Sequence, residues 1–251
     1  MRGVFVYLPN IITFLRVVLT LVLLYVWFFG EWFVLESVRF LTVLILYSLA
    51  AVTDYLDGFF ARYYNRVSTL GKWFDPIADK VLVLAVFVGF LFYPPIRLWW
   101  WMVALIAVRE VWVIGLRVFN RTTYFSIASD QHAKVKTFLQ MASQFLLILM
   151  LFVTAIVYDS TSFKEYLALE SSRDALPAAR TMTFEEVPFS VWEHYFSLTL
   201  GLPVTWAALY RHIPNILIFI TTCVTVYSGI LYTYKVIPYW KLGSQARRKT
   251  K

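Results

Sequence analysis

The chain has 251 residues, 60% of them hydrophobic and 15% charged, with a mean hydropathy of +0.67. That composition excludes a soluble globular domain, and the single cysteine, Cys223, excludes an intrachain disulfide. The formal net charge of +8 requires no nucleic-acid partner, because a basic face beside anionic lipid headgroups accounts for it.

A bilayer core asks for about 20 consecutive apolar residues in a helix. Six such runs are expected, at 10–30, 38–61, 73–94, 98–119, 135–158 and 212–236. Together they make an all-α polytopic membrane protein, a single domain over 1–251. In the first run Arg16 precedes a short apolar stretch, as in a secretory signal. The following Gly30-Glu31-Trp32-Phe33-Val34 lacks a small-x-small cleavage site, so a retained helix is expected. Cys223, in the last run, is expected to serve packing. No internal repeat or low-complexity segment is present.

Basic residues gather between the runs, in Arg62, Arg66 and Lys72, then in Arg117, Arg121, Lys134 and Lys136. A third group closes the chain, in Lys241, Arg247, Arg248, Lys249 and Lys251. With six spans these regions and the N-terminus share one side, which the positive-inside rule makes cytoplasmic. Glu31, Glu36 and the segment 159–211 fall on the other. That segment is expected to be a largely irregular extracytoplasmic insertion, long for a connector. Its stretch 187–210 sets Trp192, Tyr195, Phe196 and Trp206 beside charges. This fits a short helix on the outer membrane surface, with a partner-binding loop as the competing reading. Glu193, His194, Gly201 and Pro203 disfavour a seventh span.

Chemistry concentrates at residues 54–79. Asp54 and Asp57 are three apart at one end of the second run, and Asp75 and Asp79 four apart at the start of the third. Each pair shares a helix face, and a short basic turn between the runs makes a hairpin that can bring the pairs together. An ionised Asp near hydrocarbon costs roughly 2.5–3.5 kcal/mol, so four together need compensation. Carboxylate oxygens with no nearby His or Cys suit Mg²⁺ or Mn²⁺ rather than zinc. Two such ions bridging a diphosphate would neutralise charge during phosphoryl transfer. Gly58 and Ala61 share the stripe of Asp54 and Asp57 and leave room for a nucleotide, although small residues also serve helix packing. Arg62 can pair with phosphate or with an aspartate. Pro76 is expected in a first helical turn, which would make Asp75 a cap. A bare cap leaves Asp79 without an account, and an ion-pair cluster with Arg62, Arg66 and Lys80 does not require Gly58 and Ala61.

The pattern D-x2-D-G-x2-A-R-x8-G-x3-D-x3-D, from Asp54 to Asp79 through Gly71, resembles the signature of the CDP-alcohol phosphotransferases at every fixed position. Further features resemble that family's phosphatidylglycerophosphate synthase branch. They are Pro9-Asn10 with Thr13 and Arg16, Asp75-Pro76-Ile77-Ala78-Asp79-Lys80, Arg109-Glu110 with Arg117, and Lys134-Val135-Lys136-Thr137 with Gln140. Ser68 stands where the branch usually has Thr, Ala133 replaces a Gly, and 159–211 is longer than usual there.

The resemblance implies a metal-assisted transfer from CDP-diacylglycerol to sn-glycerol 3-phosphate, giving phosphatidylglycerol phosphate and CMP. It implies Asp54, Asp57 and Asp75 as metal ligands helped by Asp79, with Asp79 also the general base. Substrate binding would fall to Gly58, Ala61, Arg62, Ser68 and Gly71. Arg109, Arg117 and Lys136, read as lying on cytoplasmic helix ends, would hold the acceptor phosphate, with plain positive-inside topology as the competing account. A homodimer in the bacterial cytoplasmic membrane, with its site facing the cytoplasm, is also implied. Two relatives share the core motif: a cardiolipin synthase and an inositol-phosphate-using enzyme. An ion-coupled transporter would instead place its carboxylates near the midplane and show repeats.

Overall fold

The computed structural model describes residues 4–64, 71–92, 96, 98–120, 131–172, 182–201 and 209–249. These residues form α1 (Val4–Phe29), α2 (Glu36–Tyr64), α3 (Gly71–Phe92), α4 (Trp100–Asn120), α5 (Gln131–Asp159), α6 (Thr161–Ser172), α7 (Phe189–Leu200) and α8 (Leu209–Lys249). A single 3-10 turn, Gly30–Trp32, separates α1 from α2. Each expected run coincides with one long helix. The α2 helix packs between α1 and α5, α3 rests on α1, α4 and α5, and α8 closes against α4 and α5.

Helical periodicity selects the inward faces. Along α1 the buried positions are Thr13, Arg16, Thr20, Leu23 and Trp27; along α2 they are Phe40, Val43, Tyr47 and Ala50. Steps of three and four residues keep each set on one stripe. The stripes change character along the bundle. Toward the connector between α1 and α2 they are apolar, with Trp27 edge-on to Phe90 at 4.7 Å between ring centroids. Toward the other end they become polar, with Arg16, Glu110, Lys136, Gln140, Gln144, Thr225 and Ser228 all buried. Hydroxyls satisfy themselves within their own helices, as in Thr20 to the Arg16 carbonyl at 2.8 Å and Thr222 to that of Ile218 at 2.8 Å.

The apolar end is tied by polar staples. The Asp159 carboxylate, at the last residue of α5, accepts from the backbone N–H groups of Glu36 at 3.3 Å and Ser37 at 2.7 Å. It thus caps the N-terminus of α2 from another helix. The Arg39 guanidinium, buried, donates to the Val26 and Trp27 carbonyls at the end of α1. It also pairs with Glu36 at 3.2 Å and Glu185 at 3.4 Å. The backbone N–H of Trp99 donates to Asn215 Oδ1 at 3.2 Å, drawing the starts of α4 and α8 together.

Four expectations change. Among the described residues, four stretches are long and apolar enough to cross a membrane: Ile11–Phe29, Glu36–Thr53, Val135–Asp159 and Arg211–Val236. Six spans are therefore not confirmed; the described part of α3 adds a shorter apolar stretch, Lys80–Phe92. The segment 159–211 is less irregular than expected, since it contains α6 and α7. Phe163 stacks on Trp192 at 4.4 Å with an interplanar angle of 7°, and both are buried with Phe184 and Val191 in the core. Aromatics that read as interfacial in sequence therefore include core residues. Gly201, at φ 62°, ends α7 in the left-handed conformation that suits glycine. Cys223 is exposed, on the outer face of α8 rather than packed inside it. Finally, α3 starts at Gly71, so Pro76 lies in its second turn and Asp75 is not its cap.

Candidate active site

The aspartate motif lies at the C-terminal end of α2 and the N-terminal end of α3, which follow one another in the chain. Asp54, Asp57, Gly58, Ala61 and Arg62 lie in the last three turns of α2, immediately beyond the apolar stretch that ends at Thr53. Gly71, Asp75 and Asp79 lie in the first three turns of α3. The side chains of 54–64 and 71–79 lie outside the described residues, as do Ser68 and the side chain of Arg117 in α4.

The described part of the site begins one residue later, at Lys80. Its ammonium lies 3.1 Å from Glu110 Oε2. Glu110 Oε1 accepts from Lys136 Nζ, from Gln140 Nε2 at 3.2 Å and from Arg109 Nη1 at 3.3 Å. Gln140 reaches on to Thr225 Oγ1 at 3.3 Å, and Arg109 Nη2 to Ser228 Oγ at 3.0 Å. Residues from α3, α4 and α5 thus converge on one carboxylate, and α8 joins the network through Thr225 and Ser228. A charge in such an interior persists only when paired and hydrogen-bonded. Beside it, Tyr47 hydroxyl meets Gln144 Oε1 at 3.1 Å, and Gln144 Nε2 donates to the Val83 carbonyl at 2.6 Å, tying α2 to α5 and α3.

Two sequence-predicted residues, Arg109 and Lys136, are thereby brought together. Their side chains are 10% and 2% exposed, so they turn into the bundle. Positive-inside topology does not account for cations so buried. Arg109 sits in the middle of α4 rather than at its end. Lys80, Glu110 and Gln140 stood in the sequence motifs, Lys80 also in the ion-pair reading, but none was assigned to the site. Their signal was a charged or amide residue inside an otherwise apolar run, which in a membrane helix is costly without a purpose. Arg16 is a further case, 1% exposed on the inward stripe of α1, the helix that packs on both α2 and α3.

Arg109 also has a dedicated space. A Cβ added at Gly229 of α8 would stand 2.7 Å from Arg109 Cγ, closer than packing permits. The same arginine floors a groove of about 380 Å³ between α4 and α8, otherwise lined by apolar side chains such as Leu105, Val108, Val226 and Ile230.

Among the described residues, an all-helical bundle with apolar spans, an aspartate motif on two consecutive helices and a buried cation cluster define a membrane-embedded class of protein. The chain belongs to the CDP-alcohol phosphatidyltransferase family, whose model matches residues 6–170. Three relatives carry the name CDP-diacylglycerol–glycerol-3-phosphate 3-phosphatidyltransferase. That of Rickettsia felis is 39% identical over 142 residues, covering 57% of this chain and 75% of its own. That of Bacillus subtilis is 36% identical over 152 residues, covering 57% and 76%. That of Cereibacter sphaeroides is 29% identical over 243 residues, covering 93% of this chain and 97% of its own. The last match takes in most of 159–211, so that segment has a counterpart in that relative. The chain is thus an integral membrane phosphatidyltransferase, and the transporter reading falls. The family generally works with divalent metal ions.

Proposed function

We propose that the protein transfers the phosphatidyl group of CDP-diacylglycerol to sn-glycerol 3-phosphate, releasing CMP. One observation carries this reading from the residues: buried Arg109 and Lys136 converge with Lys80 around a single carboxylate. Three cations about one anion suit an acceptor that brings its own phosphate.

The aspartates fit a metal site by their donor chemistry and by register. The buried stripe of α2 runs Phe40, Val43, Tyr47, Ala50, and the same steps of four and three reach Asp54, Asp57 and Ala61. On α3 the stripe of Val86 and Leu82, carried back by three and four, reaches Asp79 and Asp75. Continuation of both stripes at helical spacing would thus set the two pairs on the inward register, which supports the reading. Asp54, Asp57 and Asp75, with Asp79, would hold two Mg²⁺ or Mn²⁺ ions. Such ions would neutralise the diphosphate and the CMP leaving group.

The chain's own groups supply the rest. Asp79 takes the proton from the acceptor hydroxyl as that oxygen bonds to the phosphatidyl phosphorus. The phosphorus–oxygen bond to CMP breaks, and its electron pair leaves with CMP. Gly58 and Ala61 admit the nucleotide to the helix surface, Ser68 and Gly71 contribute to its binding, and Arg62 pairs with its phosphates. Arg109, Lys136 and Arg117 hold the acceptor phosphate. The site faces the cytoplasm of a bacterial cytoplasmic membrane, consistent with the basic residues on that side, and the enzyme works as a homodimer.

The test is CMP release by purified protein in detergent, with CDP-diacylglycerol, Mg²⁺ and one acceptor at a time. Release with glycerol 3-phosphate alone is expected. Release only with phosphatidylglycerol or an inositol phosphate would replace the acceptor and keep the chemistry.

A further inference from the structure

We infer that Glu110 is a positioning residue for the acceptor phosphate: it gathers Lys80, Arg109 and Lys136 into one cradle before the substrate arrives. The inference rests on glycerol 3-phosphate being the acceptor.

Three cations drawn into one bundle repel one another, and the burial of Arg109 and Lys136 leaves that repulsion weakly screened. Something must hold them within reach of a single phosphate. Glu110 is 1% exposed and takes Lys80 on Oε2 and Lys136, Arg109 and Gln140 on Oε1. Its partners come from α3, α4 and α5, so the carboxylate fixes the relative position of those helices at the site. Gln140 extends the hold to Thr225 of α8. Lys80 is the most open of the three cations, at 21% exposure, and it directly follows Asp79. The cradle therefore starts where the aspartate motif ends, and a phosphate bound there keeps its glycerol hydroxyl near the proposed base.

An independent feature points to the same design. Gly229 leaves room for the Arg109 side chain against α8, and Ser228 beside it accepts from Nη2. Arg109 is thus set from both sides, by Glu110 within α4 and by the Ser228–Gly229 step of α8. A residue needed only for charge would not require so defined a path.

The experiment compares Glu110→Gln, Glu110→Asp and Gly229→Ala with the wild type, measuring KM for glycerol 3-phosphate and for CDP-diacylglycerol, and kcat. Glu110→Gln keeps the volume and loses the charge. The expected result is an acceptor KM raised about tenfold or more, as loss of a charge-assisted contact gives. The donor KM should stay within about twofold of the wild type. Glu110→Asp should restore part of the loss. Gly229→Ala leaves Glu110 intact and should raise the acceptor KM through Arg109 alone; if Glu110→Gln does not fold, Glu110→Asp decides the matter, a wild-type acceptor KM in it overturning the inference. Lower thermal stability with both KM values unchanged in the folded fraction would make Glu110 a purely structural residue and overturn the inference. A wild type that ignores glycerol 3-phosphate would instead overturn the acceptor assignment, and the inference with it.

Discussion

The Lys80 ammonium stands 3.1 Å from Glu110 Oε2, and Lys80 is the residue that follows Asp79. Through this one ion pair the aspartate-bearing helix α3 is joined to the cation cluster of α4 and α5. The aspartate motif, proposed for the donor and its metals, and the cation cluster, proposed for the acceptor, thus adjoin across a single residue step. An in-line transfer gains from this, because much of its rate comes from holding donor and acceptor in position.

Asp79→Asn is expected to lower CMP release by about 10³-fold or more, since the amide cannot take the acceptor proton. CDP-diacylglycerol binding to the variant, measured by equilibrium titration, should persist. Near-normal turnover would remove Asp79 as the base.

Arg109→Ala should raise the KM for glycerol 3-phosphate by about 10- to 100-fold, with a much smaller change for CDP-diacylglycerol. Steady-state kinetics with each substrate varied in turn separates the two. An equal change in both constants would assign Arg109 to the bundle rather than to the acceptor.

Chelation of divalent ions should stop CMP release, and added Mg²⁺ or Mn²⁺ should restore it. Zn²⁺ should not, because an all-carboxylate donor set favours hard cations. Full activity after exhaustive chelation would contradict the proposed role of the four aspartates.

Arg39→Ala should destabilise the protein by about 3 kcal/mol, for it strips partners from two carbonyls of α1 and from Glu36 and Glu185. Lysine should not restore the loss, having a single ammonium in place of a planar fork of donors. Thermal unfolding in detergent reads the change, and specific activity of the folded fraction should hold.

Asp159→Ala should cost about 1 kcal/mol, the usual worth of a helix N-cap. Asn should recover most of it, since its side-chain oxygen still accepts from the backbone of α2. An alanine variant as stable as the wild type would show that water takes over the cap.

Much was legible in the sequence because the bilayer imposes strong local rules. A helix that must satisfy its own backbone in hydrocarbon announces itself by length and apolarity, and the six long helices lie where the apolar runs do. Less legible were α6 and α7, whose mixed composition resembles a loop; their burial depends on Phe163 meeting Trp192 across a gap of some 29 residues. Cys223 illustrates the reverse case, an apolar-run residue that the helix phase turns outward.

The sequence by itself determined the class of protein, its helices and the aspartate motif. Those follow from composition and from spacings of three and four within one helix, which are local. Only the tertiary structure decided that Lys80, Arg109 and Lys136 share the Glu110 carboxylate, that Gly229 makes room for Arg109, and that Asp159 caps α2. Each of these joins residues on different helices, and no local periodicity records which stripe will face which neighbour. That choice belongs to the packing of whole helices, where volume, charge and hydrogen bonding must be satisfied together.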